Sequence, residues 1–302
     1  MKPSIVVVGS SNTDMIIKSP HLPMPGETVL GSEFHMVNGG KGANQAIAAA
    51  RAGGDVDFIA CVGDDTFGKG ALENLKNEGI GVTGIKIVEN TPSGIALINV
   101  SESGENSISV APGANNQLLP EDIEQRESII KNADAVLIQL EIPIETVYTT
   151  IRIAKRYVVP VILNPAPAQK IDPEILALVT IITPNENEAV ELVSIPENNV
   201  SNSVLIEELK KLGLETIIIT LGANGVLFSA NGRVGQLGGN KVEVMDTTAA
   251  GDTFNGYLAV SLAKGDSIEH AIRMANFAAS LSVTRMGASS SIPYLDEVMA
   301  II

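Results

Sequence analysis

Ala135-Val-Leu-Ile-Gln-Leu140, followed by the amphipathic Ile144–Tyr157 and then by Val159-Pro-Val-Ile-Leu163, decides the fold class of this chain. An apolar run of strand length, a segment with helical spacing and a second apolar run make a strand–helix–strand unit. Strands apolar on both faces must be covered on both faces, which points to a mostly parallel sheet between helical layers. Outward from this unit the pattern repeats. Apolar strands are expected at Ile5–Val8, Val56–Val62, Val179–Thr183 and Thr216–Leu221, and helices at Gly42–Ala52, Phe67–Asn77, Pro120–Lys131, Asn185–Val193 and Val204–Leu212. The expected class is α/β, a three-layer α/β/α body on a mostly parallel central sheet.

Two stretches break the alternation. Glu27–Val37 reads as a strand between Pro20, Pro23, Pro25 and Gly26 on one side and Gly39-Gly40 on the other. Ser93–Ala111 reads as a hairpin, Ile95–Val100 against Asn106–Val110, turned at Glu102-Ser-Gly-Glu105. Neither is flanked by helices long enough for parallel crossovers, so both are assigned to a small antiparallel sheet set on the body like a lid. Val29, Met36 and Ile95 fall on its outward side, which favours pairing with a second copy of the chain.

Composition narrows the partners. The 302 residues carry a formal net charge of −15 with no run of basic residues, which argues against nucleic acid and anionic membrane surfaces. The N-terminal apolar run ends at Gly9, too short for a signal peptide or a membrane span, and no segment reaches about 18 apolar residues. Cys61 is the only cysteine and lies in an apolar run, as expected of a buried, inert thiol. A reduced, cytoplasmic protein is expected, in which the Asn-x-Ser sequons at Asn99 and Asn199 carry no meaning.

Open parallel sheets bind ligands beyond the carboxyl ends of their strands. Polar clusters recur there: Gly9-Ser-Ser-Asn12-Thr-Asp14, Gln139-Leu-Glu141, Asn164-Pro-Ala-Pro167, Thr183-Pro-Asn185-Glu-Asn-Glu188 and Thr220-Leu-Gly222-Ala-Asn-Gly225. Turn chemistry explains any one of them; together on one rim they outline a cleft. Asp246-Thr-Thr-Ala-Ala-Gly251-Asp252-Thr-Phe254 runs from small residues into a helical pattern, and a helix start offers unpaired N–H groups and a positive dipole end to an anion. Phosphoryl transfer to a hydroxyl needs such donors and a base beside them, and Asp252 stands where that base would be. Taken alone, Asp252 reads equally as a first-turn acid and Asp246 as an N-cap.

Other motifs fail on context. Gly39-Gly40-Lys41-Gly42-Ala43-Asn44 opens a helix but is no P-loop, since no Ser or Thr follows Lys41 and His35 stands at the first glycine position. Its glycines suit close backbone approach to a ligand, and with Asn44 and Asp14 it could grip a polyhydroxylated molecule. Gly79-Ile-Gly81-Val-Thr-Gly84 spells a dinucleotide fingerprint but follows a helix and precedes a strand, the reverse of what pyrophosphate binding requires. His21, His35 and His270 share no metal-ligand spacing.

Gly39-Gly-Lys-Gly-Ala-Asn-Gln-Ala46 and Asp246-Thr-Thr-Ala-Ala-Gly-Asp-Thr-Phe254, with Asn185-Glu-Asn-Glu188 between them, resemble the signatures of the ribokinase-like sugar and nucleoside kinases, the family named for phosphofructokinase B. The likeness spans nearly the whole chain. It implies a single ribokinase-like α/β unit over residues 1–302 with lid strands at about 13–38 and 93–112. It further implies lid-to-lid pairing in a homodimer. The activity implied is ATP-dependent phosphorylation of a sugar, D-ribose at its 5-hydroxyl, with Asp252 as the base. Backbone N–H groups of Ala249, Ala250 and Gly251 would form the anion hole. Many relatives have Gly at position 249, and Ala serves there provided its φ stays negative.

By the same resemblance Asn12, Asp14, Gly40, Lys41, Gly42, Asn44 and Glu141 match positions around the sugar hydroxyls. Asn185 and Glu188 match a pair that organises Mg²⁺ and the phosphates through water. Thr220, Leu221, Gly222, Ala223, Asn224 and Gly225 match the nucleotide-binding turn, and Asn276 stands where many relatives carry a His beside the adenine. Asp246, Thr248, Ser282, Arg285, Gly287 and Ser291 match a monovalent-cation site that would hold K⁺. Rival readings on the same fold are a 2-deoxyribose, fructose or nucleoside kinase, and a non-catalytic sugar or nucleotide sensor. Asn12 favours ribose over a 2-deoxy sugar, and a chain with ten aromatic residues is poor in groups to stack a nucleoside base.

Overall fold

A computed structural model describes residues 2–193 and 201–302 of the chain. The sequon at Asn199 lies outside the described residues. Strands follow in the order β1 (Ser4–Val8), β2 (Asn12–Ser19), β3 (Glu33–Gly39), β4 (Asp55–Gly63), β5 (Ile85–Val88), β6 (Gly94–Ser101), β7 (Asn106–Ala111), β8 (Ala135–Ile138), β9 (Val161–Leu163), β10 (Ile181–Ile182), β11 (Thr216–Thr220), β12 (Val226–Ala230) and β13 (Arg233–Leu237). Helices are α1 (Lys41–Arg51), α2 (Thr66–Asn77), α3 (Pro120–Glu124), α4 (Glu127–Lys131), α5 (Ile144–Arg156), α6 (Pro173–Leu176), α7 (Glu186–Val193), α8 (Asn202–Lys211), α9 (Ala250–Ala263), α10 (Ile268–Ser282) and α11 (Leu295–Met299).

Nine strands form the central sheet in the order β13-β12-β11-β10-β9-β8-β1-β4-β5. All pairings from β5 to β11 are parallel, and only the β11–β12–β13 edge is antiparallel. The alternation along β1 shows how the layers arise. Ile5 and Val7 pack among α1, α9 and α10, while Val6 and Val8 pack among residues of α3, α5 and α8 on the opposite face. Chain order reverses on either side of β1, which has β8 and β4 as neighbours, so the crevice beyond its carboxyl end is the switch point at which ligands bind.

The small sheet has the order β3-β2-β6-β7, with antiparallel β2/β3 and β6/β7 pairs joined by a parallel β2/β6 pair. β6 and β7 fall within the expected hairpin Ser93–Ala111 and β3 overlaps the expected strand Glu27–Val37, whereas β2 (Asn12–Ser19) lies outside both stretches. The expected strand Glu27–Val37 begins only at Glu33, because Gly26 at φ 83° and the Glu27 carboxylate, accepting from Met24 N–H at 2.9 Å, fold the preceding residues into a turn. Of the outward apolar residues named above, Met36 is exposed while Val29 and Ile95 are half-buried; Ile17, Phe34 and Leu97 are the further exposed hydrophobics on that face. The expected helix over Pro120–Lys131 divides into α3 and α4.

Helix α9 follows the Asp246–Ala249 loop and is deeply enclosed, with every residue from Asp252 to Ser261 buried. Gly256 explains how α1 comes so close: a Cβ there would overlap Ala48 and Ala49. Without that side chain the two helices touch, and one turn earlier on each, Asn44 and Gln45 reach Asp252.

Candidate active site

Beyond the carboxyl ends of β1 and β8 the polar side chains interlock. Ser10 Oγ donates to Glu141 Oε2 at 2.6 Å, and the same oxygen accepts the Lys41 N–H at 3.1 Å. Asn115 accepts from Ser11 N–H at 2.9 Å and donates to Asn12 Oδ1 at 2.8 Å, so the Asn12 amide is held with its acceptor occupied and its donors free. Asp14 lies on the same face of β2, and a side chain at Gly39 would overlap its carboxylate. Gly40 sits at φ 89° at the start of α1, and a Cβ at Gly42 would strike the backbone of Gly9 and Ser10. Gly42 therefore acts by letting α1 close on the first loop. It is not shown to face a ligand.

Asp252 is only 8% exposed. Its Oδ2 accepts from Asn44 Nδ2 and its Oδ1 from Gln45 Nε2, each at 3.0 Å. Burial raises its pKa above the usual carboxylate range, opposed by the Lys41 ammonium and these two amide donors. Asp14 is pushed up to about 7 by burial and then by the neighbouring Glu141 and Asp252, with Lys41 pulling the other way. Burial works against the charge of Lys41, but Asp252, Glu141, Glu188 and Asp14 outweigh it and hold the ammonium above the ordinary lysine value. Four carboxylates therefore converge around one cation.

A cavity of about 220 Å³ opens beside Asp252, walled also by Lys41, Asn185, Glu188, Ala249, Ala250 and Gly251. The first helical bond of α9 runs from Thr253 N–H to Ala249 O at 2.8 Å, so the amides before it emerge at the helix end beside this cavity. Ala250 N–H leans back to Thr247 O at 3.2 Å and would share its proton with an incoming anion. Ala249 departs from the expected negative φ: it caps α9 at φ 59°, ψ 12°, the left-handed region, because the loop must reverse direction to enter the helix.

Asn185 and Glu188 bond reciprocally, Asn185 N–H to Glu188 Oε2 and Glu188 N–H to Asn185 Oδ1, both at 2.8 Å. This capping box starts α7 and occupies one oxygen of each side chain. Burial raises the Glu188 carboxyl pKa. The pair fits a hydrated Mg²⁺ reached through water better than direct ligation.

A second cavity of about 500 Å³ shares Thr220, Thr247, Ala250 and Gly251 with the first and extends along Gly222, Ala223, Gly225 and Asn276. Val242, Val244, Phe254 and Val283 supply apolar wall. Asn276 Nδ2 donates to Gly238 O at 2.9 Å. Leu221 and Asn224, expected at the nucleotide, do not line this cavity. They build the turn instead, Leu221 N–H bonding Gly225 O and Asn224 N–H bonding Leu221 O.

Around Asp246 the structure brings together part of the expected cation set. Its Oδ1 accepts from Thr248 N–H and Oγ1 at 2.9 and 2.6 Å, and its Oδ2 from Gly287 N–H at 2.9 Å. Arg285 turns away to Glu297, while the buried Ser282 and Ser291 hydroxyls donate to the carbonyls of Ala279 and Ala288. Among the described residues no cluster of three or more His, Cys, Asp or Glu side chains could hold a metal. Burial pushes the Cys61 thiol up to about 12, as expected of an inert cysteine. No described helix is long and apolar enough to cross a membrane.

The sequence reading gave no role to Gln45, Asn115 or Asn255, each at most 1% exposed. A glutamine inside the run Ala43-Asn-Gln-Ala-Ile-Ala-Ala-Ala50 was the available signal, because a buried amide in a small-residue helix face needs partners.

The family described as pfkB family carbohydrate kinase matches residues 2–295. The chain is 44% identical over 300 residues to the ribokinase of Haemophilus influenzae, covering 99% of this chain and 98% of that one. It is 43% identical over 295 residues to the ribokinase of Bacillus subtilis, covering 98% of each. Its structure superposes on that of Arabidopsis thaliana ribokinase complexed with ribose and ATP with a TM-score of 0.93, at 34% identity and covering 100% of this chain and 99% of that one. A cleft at the sheet's switch point, a buried carboxylate at a helix start and full-length similarity agree: the chain belongs to the pfkB family of carbohydrate kinases.

Proposed function

We propose that this protein transfers the γ-phosphoryl group of ATP to the 5-hydroxyl of D-ribose, giving D-ribose 5-phosphate. The observation that carries the reading is Asp252, a buried carboxylate at the end of α9, held by Asn44 and Gln45 beside the anion-accepting helix start. Asn12, Asp14, Asn44 and the free oxygen of Glu141 take the sugar hydroxyls; Gly40 and Lys41 close the same side. Asp252 receives the proton of the attacking hydroxyl while the N–H groups of Ala249, Ala250 and Gly251 face the charge on the transferring group. The Lys41 ammonium lowers the cost of bringing phosphate next to four carboxylates.

ATP occupies the larger cavity, with its base between the apolar wall and Asn276 and its phosphates toward Gly251. Mg²⁺ supplies charge neutralisation of the phosphates when bound, and Asn185 and Glu188 would hold its waters. K⁺, when bound near Asp246, would supply a fixed positive charge; Asp246, Thr248 and Gly287 already tie the loop it would order, and carbonyls near Ser282, Arg285 and Ser291 would complete the set. The exposed Ile17, Phe34, Met36 and Leu97 support a homodimer formed through the small sheet, which acts as a lid. Residues 1–302 form a single functional unit working in the cytoplasm.

A phosphorylation assay across ribose, 2-deoxyribose, fructose and adenosine, each with K⁺ or Na⁺, tests the reading. Ribose with K⁺ should give the highest kcat/KM. A preference for another acceptor reassigns the substrate, indifference to the ion removes the cation site, and no turnover with any acceptor leaves a sensor. Sedimentation should give about twice 31.6 kDa; a monomer would remove the lid pairing.

A further inference from the structure

Asp252 does not stand alone under the cleft. Gln45 Nε2 donates to Asp252 Oδ1 and to Asn164 Oδ1, both at 3.0 Å, and its Oε1 accepts from Gln139 Nε2 at 2.5 Å. Asn164 Nδ2 donates to Thr183 O at 3.1 Å, Thr183 Oγ1 to Asn255 Oδ1 at 2.6 Å, and Asn255 Nδ2 to Gly251 O at 2.9 Å. The circuit closes on the residue before Asp252. All its side chains are buried, with Gln45 at 0% exposure.

We propose that Gln45 is a positioning residue for phosphoryl transfer, fixing the Asp252 carboxylate against the sheet so that one oxygen faces the sugar hydroxyl. The assignment of its amide is forced, because Asp252 can only accept, so the nitrogen must face it. Both N–H groups and the carbonyl of Gln45 are then committed, and the amide cannot rotate without breaking bonds to three residues. Asn44 holds Oδ2 alone from the cleft side, with its own Oδ1 left without a partner among the described residues. Gln45 reaches from the opposite side, backed by Gln139 at the end of β8. A glycine at position 9 makes room for this backing, since a Cβ there would overlap the Gln139 amide.

The charges facing Asp252 come from separate elements: Lys41 at the start of α1, Glu141 after β8, Asp14 on β2 and Glu188 on α7. Among them only Lys41 is positive, so donors from uncharged amides matter for keeping the base ionised. Removing Gln45 takes away a hydrogen bond to the charged form and raises the pH at which the base works.

This inference rests on the reading of Asp252 as the base, which Asp252→Asn tests by itself. The experiment compares the wild type with Gln45→Met and Gln45→Glu for ribose phosphorylation from pH 5 to 9, with ATP binding and thermal midpoints as measures of folding. Gln45→Met should lose about 10²-fold in kcat, the cost of a misplaced reacting group, with the KM for ATP changed less than about threefold. The acid limb of its kcat/KM profile should move up by about one pH unit. Gln45→Glu keeps the volume and sets a second carboxylate beside Asp252, so its limb should move further in the same direction. If Gln45→Met does not fold, Gln45→Glu decides. An active wild type with a folded variant whose acid limb is unmoved would overturn the positioning role, whereas an inactive wild type would overturn only the reading beneath it.

Discussion

The two ends of the cleft are built differently. At the proposed acceptor end, Asn12, Asp14, Asn44 and Gln45 are side chains at most 7% exposed, and Asn12, Asn44 and Gln45 are each hydrogen-bonded to other side chains. At the proposed donor end, Gly222, Ala223, Gly225, Ala250 and Gly251 offer mainly backbone, and the apolar Val242, Val244, Phe254 and Val283 share the wall with Asn240, Lys241 and Asn276. A small polyhydroxylated substrate is discriminated by buried groups that are left unpaired when the wrong one binds. A nucleotide, large and charged, is held by helix-end amides that do not depend on side-chain identity. Substitutions at the acceptor end should therefore act strongly and selectively, and those at the donor end weakly.

Asp252→Asn carries the largest expected effect. It should lower kcat by about 10²–10⁴ while ribose affinity changes far less, as read by steady-state kinetics and calorimetry. Turnover near the wild-type rate would take Asp252 out of the chemistry and blur the division between the ends.

Asp14→Asn should weaken ribose binding by roughly 10–100-fold, the worth of a hydrogen bond to a charged group, and leave ATP binding unchanged. The same variant has a pH signature. With its carboxyl raised to about 7 in the fold, against an ordinary value of 3.8, Asp14 stabilises the ligand-free protein in its protonated form. That contribution is complete below about pH 4 and is lost as pH rises through 7. Asp14→Asn should then melt higher than the wild type at pH 8, by roughly 2–4 °C per kcal/mol relieved, with the gap closing toward pH 4. A gap that widens on acidification would mean that the carboxyl is not held protonated.

At the donor end, Asn276→His should lower the KM for ATP by roughly 2–5-fold through stacking, without changing the KM for ribose. A ribose effect of equal size would couple the ends more tightly than their construction implies. The smallest effect belongs to Ala249→Gly. Relief of about 1 kcal/mol of left-handed strain is offset by about 0.4–1 kcal/mol of added freedom in the unfolded chain, so stability should stay within 1 °C or so and kcat within about twofold. A large loss of kcat would show that the rigidity of the alanine, and not only its N–H group, shapes the anion hole.

Much of this arrangement was legible before any coordinates. Apolar runs such as Val136–Ile138 and Ile217–Ile219 announce doubly covered strands, and Asn164, Thr183, Asn185 and Thr220 from the polar clusters at strand ends line the cavity beside Asp252. Strand β2 was hidden because Asn12-Thr-Asp14 looks like turn chemistry, although Met15-Ile-Ile17 continues it; its pairing with β3 and β6 overrides local preference. The β12–β13 hairpin should have been read from Asn231-Gly232, both of which take positive φ, 51° and 74°. Gln45 and Asn255 escaped for a different reason. A glutamine on a small-residue helix face signals burial, but the segments it will meet are not encoded locally; they follow only when Gly256 lets two helices meet.

Strand β2 begins three residues after β1 ends, across Gly9-Ser-Ser11, and β3 runs into α1 through Gly40. Asn12 and Asp14 are thus carried by the small sheet, whereas Asn44, Gln45 and Asp252 belong to the helices of the body. A sugar gripped by both groups is a bolt thrown between door and frame: its own hydroxyls would fasten the two parts. A shortened sugar lacking the hydroxyls that reach β2 would leave the door unlatched, admitting water as a competing phosphoryl acceptor, and wasteful ATP hydrolysis is the trace it would leave.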